Sequence, residues 1–179
     1  MKGSSIAGRK GNDGIDFYQT PTWVTRALLE REKFTGLIIE PCNGDGAISD
    51  ILEEYITGCD SVIARSDIRE DINIMSYARD CCDHVITNPP YNNAQIVIEQ
   101  SLKMARGKVA MLLKLSFLES QRRYDFFKNT PLKTVYVFCR RVNMYPANME
   151  KPKNGGTIAY AWYIWERGYK DKPQTEWIL

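Results

Sequence analysis

Short apolar runs alternate with amphipathic segments along the chain, and this alternation limits the fold more than any other feature. Six runs have the length and the branched or aromatic side chains of strands: 36–40, 61–67, 83–88, 108–115, 133–139 and 157–166. Four segments have helical spacing: 20–34, 47–56, 93–105 and 120–129. This order predicts an open α/β sheet, mostly parallel, with helices on both faces. The last two strands have no helix between them, which predicts an antiparallel C-terminal strand.

The bulk composition fits one domain. The chain has 179 residues, of which 44% are hydrophobic, enough to bury a single core. We expect a flexible arm over 1–15, which is rich in Gly, Ser, Lys and Asn, followed by a single folded domain over 16–179. No apolar run is long enough to cross a membrane and no secretion signal is present, which predicts a cytoplasmic protein. The cysteines lack paired spacing, so neither a disulfide framework nor a metal site is expected.

Charge is distributed unevenly between the two halves of the chain. Residues 1–100 carry a balance of −7 and residues 101–179 a balance of +9, although the formal net charge is only +2. Residues 121–172 hold 11 Lys and Arg side chains against 4 Asp and Glu, interleaved with aromatic rings. This asymmetry favours a polyanionic partner held by the basic half, although a solvated surface explains the charges equally well.

A glycine-bearing turn follows the first predicted strand, in the sequence LIIEPCNGDGAISDIL (37–52). In doubly wound sheets, ligands bind outside the carboxyl ends of the strands, often against this turn. Gly44 and Gly46 would let the backbone approach a ligand, and Glu40 would receive a positive group. The spacing differs from G-x-G-x-x-G, and a purely structural turn is the alternative. Asp67 ends the next predicted strand, where an acid can accept hydrogen bonds from ribose hydroxyls, so the combination predicts an adenosine-binding half-sheet.

The sequence TNPPY (87–91) ends the strand predicted at 83–88. Two prolines cannot donate to a strand ladder, and they fix the local backbone. Asn88 offers a side-chain carbonyl beside unpaired backbone carbonyls, and Tyr91 offers a flat ring for stacking. Rigid acceptors of this kind suit an exocyclic amino group held beside a cofactor. A proline turn with an incidental tyrosine is the alternative. His84, the only histidine, lies in the apolar run before the motif and is predicted to be a packed core residue.

Three motifs occur in the order expected of one enzyme family: YQTP (18–21), EPCNGDG (40–46) and NPPY (88–91). They resemble the Thr-Pro segment, the glycine-rich cofactor loop and the (Asn/Asp)-Pro-Pro-(Tyr/Phe) motif of S-adenosylmethionine-dependent amino-methyltransferases. The chain is most similar to adenine-N6 DNA methyltransferases, including short ones encoded by bacteriophages, and its motif order resembles the gamma arrangement. Two further segments, LLKLSFLES (112–120) and YAWYIW (160–165), resemble the phage enzymes.

The resemblance implies a Rossmann-like class I methyltransferase fold, with one catalytic domain over 16–179 and no separate target-recognition domain. It implies that S-adenosylmethionine binds residues of all three motifs and of the strands near them: Tyr18, Thr20, Pro21, Glu40, Pro41, Cys42, Asn43, Gly44, Gly46, Asp67, Asn73 and Asn88. Asp71 is the alternative to Asn73 as the residue that reads the cofactor adenine.

The resemblance also implies methyl transfer to the exocyclic amine of adenine in DNA. Asn88 and the Pro89 carbonyl would hold the amine, Pro90 would keep the segment rigid, and Tyr91 would stack on a base flipped out of the duplex. A second aromatic clamp is expected at Phe117, with Tyr145 as the alternative. No strong general base is needed, because the amine proton leaves after the transfer.

DNA is the expected partner, bound through the basic residues 101–172. The loop at 141–156 would read bases, which predicts a short recognition sequence or loose specificity. A phage origin would place the protein in the cytoplasm of the host. The alternatives are methyl transfer to an amino group of RNA or of a protein glutamine, and a non-catalytic module that binds S-adenosylmethionine or DNA.

Overall fold

The computed structural model of the chain describes residues 19–57, 60–67, 74–144 and 156–179. The helices of this part are α1 (Thr22–Leu29), α2 (Ser49–Ile56), α3 (Ala94–Met104) and α4 (Tyr124–Asn129). Its strands are β1 (Gly36–Glu40), β2 (Ser61–Arg65), β3 (His84–Thr87), β4 (Lys108–Lys114), β5 (Leu132–Phe138), β6 (Tyr160–Glu166) and β7 (Gln174–Ile178). None of these helices combines the length and the apolar sequence that crossing a bilayer demands. Outside the described residues lie the predicted arm 1–15, most of the 141–156 loop, and Tyr18, Asp71, Asn73 and Tyr145.

The seven described strands form one sheet, in the order β2-β1-β3-β4-β6-β5-β7. β1 pairs in parallel with β2 and β3, and β3 pairs in parallel with β4. β6 runs antiparallel to both of its neighbours, β4 and β5. The predicted sheet, mostly parallel with an antiparallel strand, is therefore confirmed. The antiparallel strand is not the last one, however, because β7 follows it and pairs in parallel with β5.

The sequence does not predict β7, and the reason lies in its exposure. Its first four residues are exposed and only Ile178 is buried. The segment QTEWI therefore lacks the continuous apolar run of an interior strand. An edge strand that buries one side chain leaves little pattern in the sequence.

Helices cover both faces of the sheet, as predicted. α3 and α4 pack on one face, and α1 and α2 pack on the other. In β4, Val109 and Met111 belong to the first core, whereas Ala110 and Leu112 belong to the second. Alternate residues of a strand point to opposite faces, so a strand covered on both faces is apolar throughout.

β6 occupies the most enclosed part of the sheet, with its first six residues buried. Trp162 and Trp165 point to opposite faces and are both fully buried. The indole N–H of Trp162 donates a hydrogen bond to the Val24 carbonyl at 2.9 Å. This bond attaches α1, and the segment that leads into it, to the centre of the sheet.

The single histidine, predicted to be a packed core residue, is half-buried and packs at the margin of the core. His84 begins β3, at the amino-terminal end of the parallel strands. Its Nδ1 accepts a hydrogen bond from the Lys108 backbone N–H at 3.0 Å, and its ring packs edge-on against Phe34 with centroids 5.3 Å apart. Burial lowers the pKa of His84 below its ordinary value. Because His84 is the first residue of β3, its imidazole lies at the opposite end of the sheet from the carboxyl ends of the parallel strands.

Candidate active site

A cleft opens where β1 and β3 end, at the carboxyl end of the sheet. The residues that line it are Gln19, Thr20, Glu40, Cys42, Asn43, Asp45, Ala47, Ile48, Asn88 and Tyr91. Residues of all three sequence motifs are among them. The fold thus brings together segments that lie far apart in the sequence.

The glycine turn after β1 forms one wall of the cleft. Gly44 and Gly46 have φ angles of 57° and 82°, which residues with a side chain rarely adopt. The Asn43 backbone N–H donates to the Ser66 carbonyl at 2.9 Å. The Gly44 backbone N–H donates to the carboxylate of Asp67. These two bonds hold the turn against the residues that follow β2.

Glu40 is a buried acid in this cleft. It ends β1, and 1% of its surface is exposed. Burial raises the pKa of its carboxyl group to about 8, although hydrogen bonds from Ser49 act in the opposite direction. Oε2 of Glu40 has no hydrogen-bond partner among the described residues. A cation that enters the cleft would stabilise the ionised form of this buried acid. The position therefore suits a ligand with an ammonium group.

Asn88 follows β3 and lines the same cleft. Its Nδ2 donates a hydrogen bond to the Thr20 hydroxyl oxygen at 3.2 Å, and Thr20 is buried. The bond joins residues that are 68 positions apart in the sequence. Because Thr20 holds the nitrogen of the carboxamide, the oxygen is directed to the other side of the group, where it can accept hydrogen bonds.

Tyr91 stands beside two side chains of neighbouring strands. Its ring centroid lies 6.0 Å from that of Tyr160, with the ring planes at 39°. The ammonium nitrogen of Lys114 lies 4.5 Å from the Tyr91 ring centroid, a cation–π contact. Lys114 ends β4, Tyr160 begins β6, and the two residues pair in the antiparallel ladder. The last residue of the NPPY motif, which lines the cleft, is therefore in contact with residues of β4 and β6.

Several predicted site residues shape the cleft without lining it: Pro21, Pro41, Gly44, Gly46, Pro89 and Pro90. Asp67, predicted to bind ribose hydroxyls, is buried and accepts the hydrogen bond from Gly44. It supports the turn from behind and is not among the lining residues. Tyr18 and Asn73 lie outside the described residues.

Phe117, the expected second aromatic clamp, lies in the core and not in the cleft. It is 8% exposed, and its ring packs edge-on against Phe126, Phe127 and Tyr163 with centroids 5.8–6.3 Å apart. The guanidinium of Arg123 covers it at 4.4 Å from the ring centroid. Phe117 therefore lies in the hydrophobic core, and its role as a second clamp stays a prediction.

Cys42 lines the cleft as a neutral thiol. Burial raises its pKa to about 12, so the nucleophilic thiolate is absent at neutral pH. Within the described part of the chain, no group of three or more His, Cys, Asp or Glu side chains is placed to hold a metal ion. The polar groups available to a ligand here are carboxylates, amides, hydroxyls and backbone atoms.

The sequence did not identify four of the residues that line the cleft, Gln19, Asp45, Ala47 and Ile48, nor the two neighbours of Tyr91, Lys114 and Tyr160. Asp45, Ala47 and Ile48 continue the glycine turn towards α2, so their position follows once the turn is recognised. Lys114 and Tyr160 approach Tyr91 because β4 lies between β3 and β6 in the sheet, which no local pattern reveals.

No protein-family model and no curated protein sequence matches this chain. Solved structures do match its fold. A protein from Listeria monocytogenes, described as a class I S-adenosylmethionine-dependent methyltransferase, has a TM-score of 0.57 at 13% identity, over 89% of this chain and 64% of that one. The chain thus spans less than two thirds of the length of that protein.

Two other matches have names that describe different kinds of methyltransferase. A protein from Pyrococcus horikoshii, described as an RNA methyltransferase, has a TM-score of 0.51 at 14% identity, over 85% of this chain and 87% of that one. A type I restriction-modification methyltransferase subunit from Streptococcus thermophilus has a TM-score of 0.50 at 12% identity, over 84% and 45%. At these identities the likeness concerns the fold. The chain has the Rossmann-like fold of class I methyltransferases.

Proposed function

We propose that the chain is an S-adenosylmethionine-dependent methyltransferase that acts on the exocyclic amine of adenine in DNA. The observation that carries this proposal is the shared cleft, which Glu40 lines together with Asn88 and Tyr91. A cofactor bound at Glu40 and a substrate amine bound at the NPPY motif would lie next to each other in this cleft. We assign the activity to a catalytic domain over residues 16–179.

The cleft fits the cofactor at its methionine end. When bound, S-adenosylmethionine supplies an electrophilic methyl group on a sulfonium. Glu40 suits the ammonium group of its methionine part, because Oε2 is buried and has no partner among the described residues. We assign the ribose hydroxyls to Asp67, which lies two residues beyond β2 and whose carboxylate also accepts from Gly44 of the turn. Three further predicted contacts, Thr20, Cys42 and Asn43, line the same space.

The NPPY motif would act on the acceptor amine. The Asn88 carboxamide oxygen and the Pro89 carbonyl would accept its hydrogens, and Tyr91 would stack on the base. Positive charge develops on the amine nitrogen as it attacks the methyl carbon, and these acceptors disperse that charge. Asn88 is already fixed by Thr20 at 3.2 Å, so little reorganisation is required during the reaction. The proton then leaves to solvent.

DNA is supported as the substrate by charge and by the motif resemblance. The basic segment 121–172 follows the motif and would contact phosphates. A base in duplex DNA must be flipped out to reach the cleft, which costs a few kcal/mol. The restriction-modification neighbour agrees with DNA and the Pyrococcus neighbour with RNA, so the assay must include both.

The decisive experiment is transfer of a labelled methyl group from S-adenosylmethionine. Unmethylated duplex DNA, total RNA and a protein extract are offered in parallel, and the products are digested and separated. We expect label in N6-methyldeoxyadenosine. Label confined to RNA or to protein would retain the chemistry and reject DNA. Cofactor binding without label in any substrate would favour a non-catalytic module.

Asn88→Ala distinguishes an enzyme from a binding module. We expect a loss of turnover of about a hundredfold or more, because one preorganised acceptor of developing charge is removed. Cofactor affinity should change much less, which calorimetry would show. Asn92→Ala is the matched control, since Asn92 is exposed on the same turn and does not line the cleft. Equal activity of the two variants would contradict the role of the motif.

Cofactor binding should release a proton from Glu40. Its pKa of about 8 keeps much of the carboxyl group protonated at neutral pH, whereas pairing with an ammonium group requires the carboxylate. Calorimetry at pH 7 in buffers with different ionisation enthalpies should therefore detect up to about one proton released per cofactor. Glu40→Gln should abolish the release and weaken binding by about tenfold or more. Asp45→Asn, at an exposed acid of the same cleft, should retain the release.

A further inference from the structure

We propose that Lys114 binds a phosphate group of the substrate beside the amine that receives the methyl group. This inference rests on the proposed function and deepens it, because it makes the catalytic cleft itself selective for nucleic acid. Lys114 ends β4, is half-buried, and lies beside Tyr91, a residue that lines the cleft. Its ammonium nitrogen lies over the ring of Tyr91, 4.5 Å from the centroid.

Lys114 differs from the other half-buried lysines of the described residues in having no acidic partner. Lys108 pairs with Glu32 at 2.5 Å, and Lys133 pairs with Glu166 at 2.7 Å. Within the ranges that the structure describes, no carboxylate lies within 4.0 Å of the Lys114 ammonium nitrogen, and that nitrogen makes no hydrogen bond. A partly desolvated cation is stabilised by an anion, and the fold supplies acids to two of these lysines but not to the third.

The surroundings hold Lys114 in place without neutralising its charge. The cation–π contact with Tyr91 contributes on the order of 1 kcal/mol and limits the rotamers of the side chain. The Tyr163 hydroxyl donates to the Lys114 carbonyl at 3.1 Å, which fixes the end of β4. The ammonium group is thereby preorganised beside the ring on which we place the substrate base, with its charge available to a ligand.

The reaction itself argues for an anion at this position. The amine becomes positively charged as it is methylated. A neighbouring cation without a counter-ion would therefore raise the energy of the transition state. A phosphate of the flipped nucleotide, or of its neighbour, would cancel that effect. A protein glutamine brings no such anion. Lys114 therefore favours a polynucleotide over a protein as the substrate of this cleft.

The test measures binding of a short duplex DNA as a function of salt concentration. Lys114→Met removes the charge and keeps the length of the stem, whereas Lys114→Arg keeps the charge. We expect Lys114→Met to lower the slope of log affinity against log salt by about one and to weaken binding severalfold at low salt. Lys114→Arg should retain the wild-type slope. In turnover assays, Lys114→Met should raise KM for DNA more than it lowers kcat.

Lys103→Met is the control for a general loss of charge, because Lys103 is exposed near the end of α3, at the other end of the sheet. It should behave as the wild type. An unchanged slope in Lys114→Met, or an equal loss in Lys103→Met, overturns the inference while methyl transfer to DNA stands. A wild-type protein that methylates only protein overturns both the inference and the DNA proposal. Lys114→Gln provides a second neutral variant, and cofactor affinity and thermal unfolding confirm that each variant is folded.

Discussion

At the scale of single residues, the hydroxyl of Thr20 orients the amide of the NPPY motif. Thr20→Val removes the acceptor of the 3.2 Å hydrogen bond and leaves Asn88 free to rotate or flip its carboxamide. We expect kcat to fall by about tenfold, with a smaller change in KM, because the loss concerns the orientation of an acceptor in the transition state. Thr20→Ser should restore the rate. A similar rate for the valine and serine variants would contradict this role.

The sequence predicts the position of a residue well when that position follows from the end of a strand. It does not predict positions that depend on residues distant in the sequence. Glu40 and Asn88 directly follow or end predicted strands, so their position at the carboxyl end of the sheet follows from the alternation alone. Phe117 also follows a strand, yet it turns into the core because Phe126 and Tyr163 pack against it. Lys114 reaches Tyr91 because β4 lies beside β3, which only the sheet order reveals.

At the scale of elements, β7 contributes through one buried side chain. Ile178 is 1% exposed, whereas its neighbour Trp177 is 69% exposed. Ile178→Ala should therefore lower the free energy of unfolding by about 2–4 kcal/mol, since it removes buried methyl groups and leaves a cavity. Trp177→Ala should change it by less than about 1 kcal/mol. Urea unfolding of both variants measures the difference, and equal effects would show that β7 is held in another way.

The interior elements are predicted well, and the edges are not. Interior strands are apolar on both faces, so β4 and β6 are found within a few residues of their bounds. The helix predicted over 120–129 divides into a 3-10 turn, Gln121–Arg123, and the shorter α4. Ser120, with a φ of 112°, precedes that turn and caps it by accepting from the Arg122 N–H. Helical spacing alone does not show where such a local cap begins a new turn.

At the scale of the whole molecule, one buried acid links the stability of the fold to pH. The pKa of Glu40 is about 8 in the folded protein, against a reference value of 4.5. Between these values the unfolded chain has lost its proton while the folded chain retains it, so the free energy of unfolding falls as pH rises. Below about pH 4 both states are protonated, and the destabilisation disappears.

Glu40→Gln should accordingly stabilise the ligand-free protein at neutral pH. We expect its free energy of unfolding to exceed that of the wild type by about 3 kcal/mol at pH 7, and to equal it near pH 4. Urea unfolding across this pH range measures the difference, with Asp45→Asn as the exposed control. A variant less stable than the wild type at pH 7 would show that the carboxylate is ionised and well paired in the fold.

The position of β6 has a consequence for the synthesis of the chain. β6 lies between β4 and β5, although the ribosome makes it after both of them. Until β6 has been translated as far as Glu166, β4 and β5 therefore each have an unpaired strand edge, because β6 is the strand that pairs with both. The nascent polypeptide passes through a stage in which most of its apolar residues have been made but the middle of its sheet is still missing. We expect chaperones that bind exposed strands to act at that stage. The stage ends when β6, with its two tryptophans, has been translated and inserts between β4 and β5.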